Sequence, residues 1–386
     1  MFDLIILGGG LAGASLAVAL RDTPLSIALV EAVPPVCASG WDPRIYTISP
    51  ANARFLGDIG VWEHLEASRI APIETMEVAG DKGGRLCFSA AETGVPELGW
   101  VLESSRIACE LWENLKRQRN LTRFCPARPQ HLDFSEAAAN LTLADGQALS
   151  ARLIVGADGR DSWVRGAAGL EALGTPYHEQ GVVANFATEK PHGNSARQWF
   201  RNDGVLAWLP LPDQRVSIVW ATPDAQAAEL LALPETGLAE RVAAAGGHAL
   251  GALKTLTPAA AFPLRLIRVP RLVAHRIALV GDAGHGIHPL SGHGVNLGFQ
   301  DARVLAERLR TAPEWQDIGE EAFLRRYQRD RREEILFLQT ATDALRRLFR
   351  APSAPLAGLR NAGFSLTDKL TPLKTWLARY AIGAAL

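Results

Sequence analysis

Cysteine is scarce in this chain of 386 residues: there are four, Cys37, Cys87, Cys109 and Cys125. No two form a C-x-x-C pair, which argues against a metal site or a disulfide framework and predicts reduced, mostly buried thiols. Net charge is lacking too, since 40 Lys and Arg stand against 41 Asp and Glu. No overall field draws the molecule to a phosphate backbone, so nucleic-acid binding is set aside. No apolar run approaches the ~20 residues of a membrane span. No charged and apolar leader precedes the first strand-like run, so the expected location is cytoplasmic. Internal repeats and low-complexity tracts are also missing. What the chain does have is 48% hydrophobic residues, enough for a sizeable core, and a length that suggests two domains.

Residues 2–7 read as a buried strand, followed by a helix with Ala14, Leu16, Ala17 and Leu20 toward a sheet, then a second strand at 26–30. Such a β-α-β unit implies a parallel sheet. The middle of the chain changes character. Short strands at 74–80 and 85–89 flank Gly83-Gly84, and 182–187, 196–200, 205–211 and 215–220 follow, the last two joined by a Pro212-Asp213 hairpin. Asp145-Gly146 marks a further hairpin between 141–144 and 149–155. The α/β style returns with a strand at 276–280, a Gly-rich turn and a long helix from Val295. From Glu320 the pattern is helical, broken at 351–355. The expected fold class is α/β: a discontinuous Rossmann-like nucleotide-binding domain (1–73, 101–172, 269–345), a mostly antiparallel β-sheet substrate domain (74–100, 173–268) and a C-terminal helical segment (346–386).

Gly8, Gly10 and Gly13 spell G-x-G-x-x-G between strand and helix, with Leu11 and Ala12 opening that helix. The first glycine permits a tight turn, the second lets backbone approach a pyrophosphate, and the third lets helix and strand pack closely. The helix N-terminus offers unpaired N–H groups to phosphate. Glu31 ends the next strand, about 20 residues on, where an acid accepts hydrogen bonds from a ribose. The fingerprint alone does not separate NAD from FAD.

Two further stretches do. One is Gly156-Ala157-Asp158-Gly159 with Ser162, Val164 and Arg165; the other is Gly281-Asp282-Ala283-Gly284-His285, continuing through His288-Pro289 to Ser291-Gly292-His293-Gly294-Val295-Asn296. With the glycine fingerprint, these resemble the aromatic-ring hydroxylase group of flavoprotein monooxygenases. The resemblance implies non-covalent FAD, with Asp282 on the ribityl chain. It places Pro289, Gly292, Gly294, Val295 and Asn296 about the flavin pyrimidine edge, where a helix N-terminus stabilises negative charge. It implies a partly structural role for Asp158. Asp42-Pro43-Arg44 resembles the family's D-x-R segment, which brings Arg44 to FAD, and Arg106 joins the same cofactor set. Within the group the match is closest to the ubiquinone-biosynthesis hydroxylases, through Asp42-x-Arg44-x-x-x-x-Ser49, Phe262-Pro263-Leu264, and the tail from Tyr327 and Arg331 through Leu348-Phe349 to Leu359-Arg360-Asn361. His293 stands where relatives usually carry glutamine. A metal reading of His285, His288 and His293 is set aside, because the spacing is not a zinc pattern and the flanking glycines suit close approach to a ligand.

No second strand–G-x-G-x-x-G–helix unit occurs, so NAD(P)H is expected as a transient co-substrate. The resemblance implies that NAD(P)H reduces FAD, that O₂ adds to give a flavin hydroperoxide, and that oxygen passes to an aromatic, hydrophobic ring such as a polyprenylated phenol. No catalytic base is assigned. A hydroxylase of soluble aromatics and a flavin-binding assembly factor without turnover remain as alternatives. A halogenase is disfavoured, because Trp208-Leu209-Pro210 lacks the second tryptophan of W-x-W-x-I-P. The apolar and basic mix around 376–386 is expected to aid peripheral contact with the inner membrane, or assembly with ubiquinone-biosynthesis proteins.

Overall fold

The computed structural model describes residues 1–37, 39–350, 354–370 and 374–375. A largely parallel sheet runs in the order Val273–Ala274, Ile277–Leu279, Ala148–Gly156, Phe2–Leu7, Ile27–Val30, Leu121–Phe124, with the Pro129–Phe134 and Ala139–Leu143 strands on a side branch. Its central strand is apolar from Leu4 to Leu7 because both faces are covered there. Leu4 and Ile6 join Leu16 and Leu305 in one core, and Ile5 and Leu7 join Leu141 and Ile154 in another. Gly146, at φ +87°, makes the turn of the anticipated hairpin between Ala139–Leu143 and Ala148–Gly156.

A nine-stranded sheet occupies the middle of the chain and is antiparallel except where Ser195–Arg201 pairs in parallel with Thr75–Ala79. Asp213 and Gln214 both adopt positive φ, which matches the right-handed twist of the hairpin they close. Alternation splits this sheet into two faces. Phe186, Leu206, Trp208, Ile218 and Trp220 pack with Leu230, Leu238 and Val242 of the Asp224–Ala232 and Glu235–Ala245 helices. The other face turns toward the nucleotide-binding unit.

Several elements were absent from the sequence reading. Ile45–Ile48, Ala71–Ile73 and Gly99–Glu103 form a small sheet of their own. The strands are too short to show a period, and their pairing is non-local. The Ser104–Arg117 helix buries Ile107, Leu111, Trp112 and Leu115 on one stripe.

The Glu321–Arg350 helix lies against the nucleotide-binding unit, where the Tyr327 hydroxyl donates to the Leu279 carbonyl at 2.8 Å. On the Ala354–Lys369 helix, the Asn361 carboxamide oxygen accepts the Gly84 N–H at 2.9 Å and the Lys82 N–H at 3.2 Å. The last-helix motif Arg360-Asn361 therefore clasps the turn between two strands of the large sheet. Residues 376–386, to which membrane or partner contact was assigned, lie outside the described residues. No helix among the described residues is long and apolar enough to cross a membrane.

The cysteine expectation is corrected. Cys37 and Cys109 form a disulfide, Cys87 is exposed and Cys125 is half-buried. The bond joins the loop after Ile27–Val30 to the Ser104–Arg117 helix, across 72 residues of sequence. Pairing depends on Cα proximity in the fold, which scattered spacing cannot reveal.

One close approach gives a test of the sheet–helix packing. A Cβ on Gly246, which caps the Glu235–Ala245 helix, would come within 2.3 Å of the Trp208 indole. Gly246→Ala is expected to lower unfolding free energy by about 1–3 kcal/mol through overpacking, read by urea denaturation.

Candidate cofactor and substrate site

The turn after Phe2–Leu7 separates the glycines by their tasks. Gly8 sits at φ +107°, and a Cβ there would meet the Ala157 carbonyl oxygen at 2.3 Å. A Cβ on Gly13 would meet the Gly8 carbonyl oxygen at 2.0 Å. Both are required by the protein's own packing. Gly10 has no atom within 4 Å of its would-be Cβ, and neither does Gly294. Nothing in the chain demands glycine at these two positions, whereas a group seated against the backbone would. Gly10 is the N-cap of the Leu11–Ala19 helix, so this space lies at a helix N-terminus.

Glu31 accepts the Gly9 N–H at 2.5 Å and the Val33 N–H at 3.0 Å, which sets its carboxylate beside the turn. Trp112 adds a contact that the sequence did not disclose: its indole N–H donates to the Gly9 carbonyl at 2.8 Å. The signal was present in the apolar stripe of its helix, but not the partner.

The other motifs converge on the same turn. Ala12 lies 3.2 Å from where a Cβ on Gly281 would be, and 3.4 Å from one on Gly298. The Gly281–Ala283 turn and the Gly294–Arg310 helix thus pack on the start of the first helix. Asp282 is exposed at this junction. Tyr46, whose hydroxyl burial holds above its ordinary pKa, lies within electrostatic reach of both Arg44 and Asp282. Arg44 is exposed, and its backbone N–H donates to the Asp42 carboxylate at 2.8 Å. The Pro289–Ser291 turn ends in Gly292 at φ +62°, against Thr47, and Val295 follows in the first turn of its helix, half-buried.

Two assigned residues are occupied by the protein itself, and a third, Arg106, only in part, since its Nε has no hydrogen-bond partner. Asn296 accepts from the Ser49 N–H (2.9 Å) and the Asn52 amide (2.8 Å), and donates to the Thr47 and Gly292 carbonyls. Its side chain pins the 45–49 segment to the helix start. Asp158 accepts from the Ser162 hydroxyl (2.5 Å) and the Val164 N–H (3.0 Å), closing its own turn. Arg106 faces Glu103 and Glu66, each at 3.9 Å, and donates to the Ser39 carbonyl.

Asp301 was missed. Fully buried, it accepts the Gly281 N–H at 2.8 Å and pairs with His285 at 2.6 Å and Arg331 at 2.7 Å. Burial would raise its pKa, but the His285 and Arg331 charges outweigh burial and hold the carboxyl below its ordinary value. An acid on the buried stripe of the Gly294–Arg310 helix was the available signal.

His288 faces a different carboxylate. Its Nδ1 accepts the Leu290 N–H at 3.2 Å, so the proton sits on Nε2, 3.1 Å from Glu179. Burial lowers the His288 pKa against the pull of Glu179. His285 and His288 thus serve separate acids, and no metal-holding group of three or more occurs among the described residues.

Opposite these loops stands the second face of the nine-stranded sheet. The Asn185 amide donates to the Asp42 carbonyl at 3.0 Å, Leu209 and Ala196 pack with Ile45 and Val101, and Phe200 packs with Leu290. The central positions of this face are Gly181, Val183 and Asn185, then Ser217, Val219 and Ala221, then Val205, Ala207 and Leu209, then Ala196, Gln198 and Phe200. None is charged. Charge occurs only at the ends, where Glu179 is paired by Arg346 and Arg350 and Arg215 by Asp213.

A helix N-terminus with an open glycine cradle, beside a second sheet whose uncharged face meets the neighbouring loops, has the features of a dinucleotide-binding oxidoreductase. The sequence pattern of the FAD binding domain family matches residues 1–336. Ubiquinone hydroxylase UbiL of Rhodospirillum rubrum is 36% identical, over 99% of this chain and 89% of that protein. The 3-demethoxyubiquinol 3-hydroxylase of Escherichia coli is 32% identical, over 99% and 98%. The crystal structure of p-nitrophenol 4-monooxygenase PnpA from Pseudomonas putida superposes with a TM-score of 0.81 at 18% identity, over 100% of this chain and 99% of that one, and so shares the fold. The chain belongs to the FAD-binding-domain family and, within it, to the group that includes these ubiquinone hydroxylases. It is an FAD-dependent monooxygenase.

Two substitutions test the cofactor residues. Gly10→Val is expected to abolish FAD binding while circular dichroism stays native, since the side chain would fill the cradle without touching the protein. Asp282→Ala is expected to weaken FAD binding by roughly 1.5–3 kcal/mol, the worth of a charge-assisted hydrogen bond, measured by flavin titration of the apoprotein.

Proposed function

We propose that this chain hydroxylates the aromatic ring of a polyprenylated phenol in ubiquinone biosynthesis, taking electrons from NAD(P)H and oxygen from O₂. The observation that carries the substrate class is the uncharged sheet face opposite the cofactor loops. An aromatic acid would leave its carboxylate without a cation there, at high desolvation cost, whereas a neutral phenol with an apolar chain loses little. The names of the R. rubrum and E. coli relatives support the same class.

FAD, when bound, supplies electron storage and oxygen activation. The chain's residues do the rest of the work in this reading. The cradle at Gly10 and the helix N-terminus behind it hold the pyrophosphate, Glu31 takes the ribose, and Asp282 takes the ribityl chain. The first turn of the Gly294–Arg310 helix presents N–H groups to the flavin edge. Glu179 fixes His288, which fixes the Leu290 N–H and so the Pro289–Ser291 turn over the cofactor. The apolar sheet face excludes water from the oxygen-transfer step. A substrate that partitions into lipid would be met at a membrane surface, so docking there is peripheral and transient. Exposed Leu366 on the Ala354–Lys369 helix and Leu370 just beyond its end support such contact.

The test is turnover. The purified protein is expected to be yellow, with NAD(P)H oxidation stimulated by a short-chain prenylated phenol and a product heavier by one oxygen in mass spectrometry. Stimulation by hydroxybenzoates alone would shift the reading to a soluble acid. Flavin binding without any stimulated oxidation would shift it to an assembly role.

A further inference from the structure

The substrate-facing strand Ser195–Arg201 places three side chains on one face, Ala196, Gln198 and Phe200. Ala196 packs in the cluster with Ile45, next to Arg44, and Phe200 packs in the cluster with Leu290, in the Pro289–Ser291 turn. Gln198, between them, is therefore centred on the gap between the two cofactor loops. Its cross-strand neighbours on either side are Ala207 and Val78, with Val219 beyond Ala207. These side chains are small and apolar, so the amide stands in a hydrocarbon floor.

Gln198 is 6% exposed, yet its side chain has no hydrogen-bond partner among the described residues. Its amide oxygen and nitrogen are not among the side-chain atoms sealed from solvent without a partner, so the head of this largely buried side chain is still open to a ligand. The other amide on this face, Asn185, is wholly buried: its N–H donates to the Asp42 carbonyl, and its Oδ1 is sealed from solvent without a partner, out of a ligand's reach. We propose that Gln198 binds the ring oxygen of the aromatic substrate. A primary amide offers an acceptor and two donors, so its carbonyl accepts from a phenolic hydroxyl while its N–H can return a bond to the same oxygen or a neighbouring one. The contact sets the rotation of the ring in the cleft, and with it which ring carbon is presented to the cofactor. The proposal rests on the phenol reading above and adds the residue that recognises the hydroxyl.

The experiment compares two ligands on the flavin-loaded enzyme: 2-(3-methylbut-2-enyl)phenol and its methyl ether, titrated by perturbation of the flavin absorbance. The ether keeps the shape and the apolar chain but cannot donate. The unaltered enzyme is expected to prefer the phenol by roughly 10-fold, the worth of one hydrogen bond to a neutral partner. In Gln198→Leu that ratio is expected to fall to about 1 with flavin content retained. Should Leu disturb the strand, the unbranched Gln198→Met carries the same comparison. A ratio that persists in the folded variants overturns the role of Gln198 while leaving the phenol reading intact. An unaltered enzyme that binds both ligands equally also overturns it. If the unaltered enzyme binds neither ligand, the phenol reading fails, and this proposal with it.

Discussion

The buried carboxylate of Asp301 is the interaction on which the cofactor side of this molecule depends. It accepts the backbone N–H of Gly281, and it is matched by His285 from the following strand and Arg331 from the Glu321–Arg350 helix. A lone carboxylate at full burial would be untenable; paired with the Arg331 guanidinium, the His285 imidazole and a backbone donor, it is held below its ordinary pKa. The consequence is positional. Gly281 is held where its backbone meets Ala12, so the Asp282 turn and the glycine-rich turn become one surface.

Around that anchor, polar side chains serve mainly as fasteners between segments distant in sequence. Asn296 joins the 45–49 segment to a helix nearly 250 residues later, and Glu179 joins the large sheet to His288 and to the Glu321–Arg350 helix. The Cys37–Cys109 disulfide and the Trp112 contact to Gly9 do the same for the loop after Ile27–Val30 and the glycine-rich turn. These contacts leave the apolar sheet free of charge at its centre. Loops rich in hydrogen bonds thereby meet a sheet face with few charged groups.

The division suits oxygen chemistry on a hydrophobic ring. Polar groups concentrate where a dinucleotide must be gripped, and small aliphatic side chains concentrate where water must be kept out. The gap between them lies at the seam of two sheets, so each surface could be shaped by its own strands.

The sequence by itself determined the two architectures and the cofactor side. Local signals sufficed there: a strand–glycine–helix pattern needs about 30 residues, and Gly8, Gly13 and Gly146 act within turns whose partners are close in the chain or fixed by motif. Tertiary structure decided the rest, because the deciding partners are remote. The roles of Asn296 and Asp158 as fasteners followed only from their hydrogen bonds. The disulfide joined residues that spacing could not pair. The short sheet of Ile45–Ile48, Ala71–Ile73 and Gly99–Glu103 had too few residues to show a period. Gln198 looked like any polar residue of a strand until the register set Ala207 and Val78 beside it and the two cofactor loops across from it. A strand's alternation tells which side chains share a face; only packing tells what that face confronts.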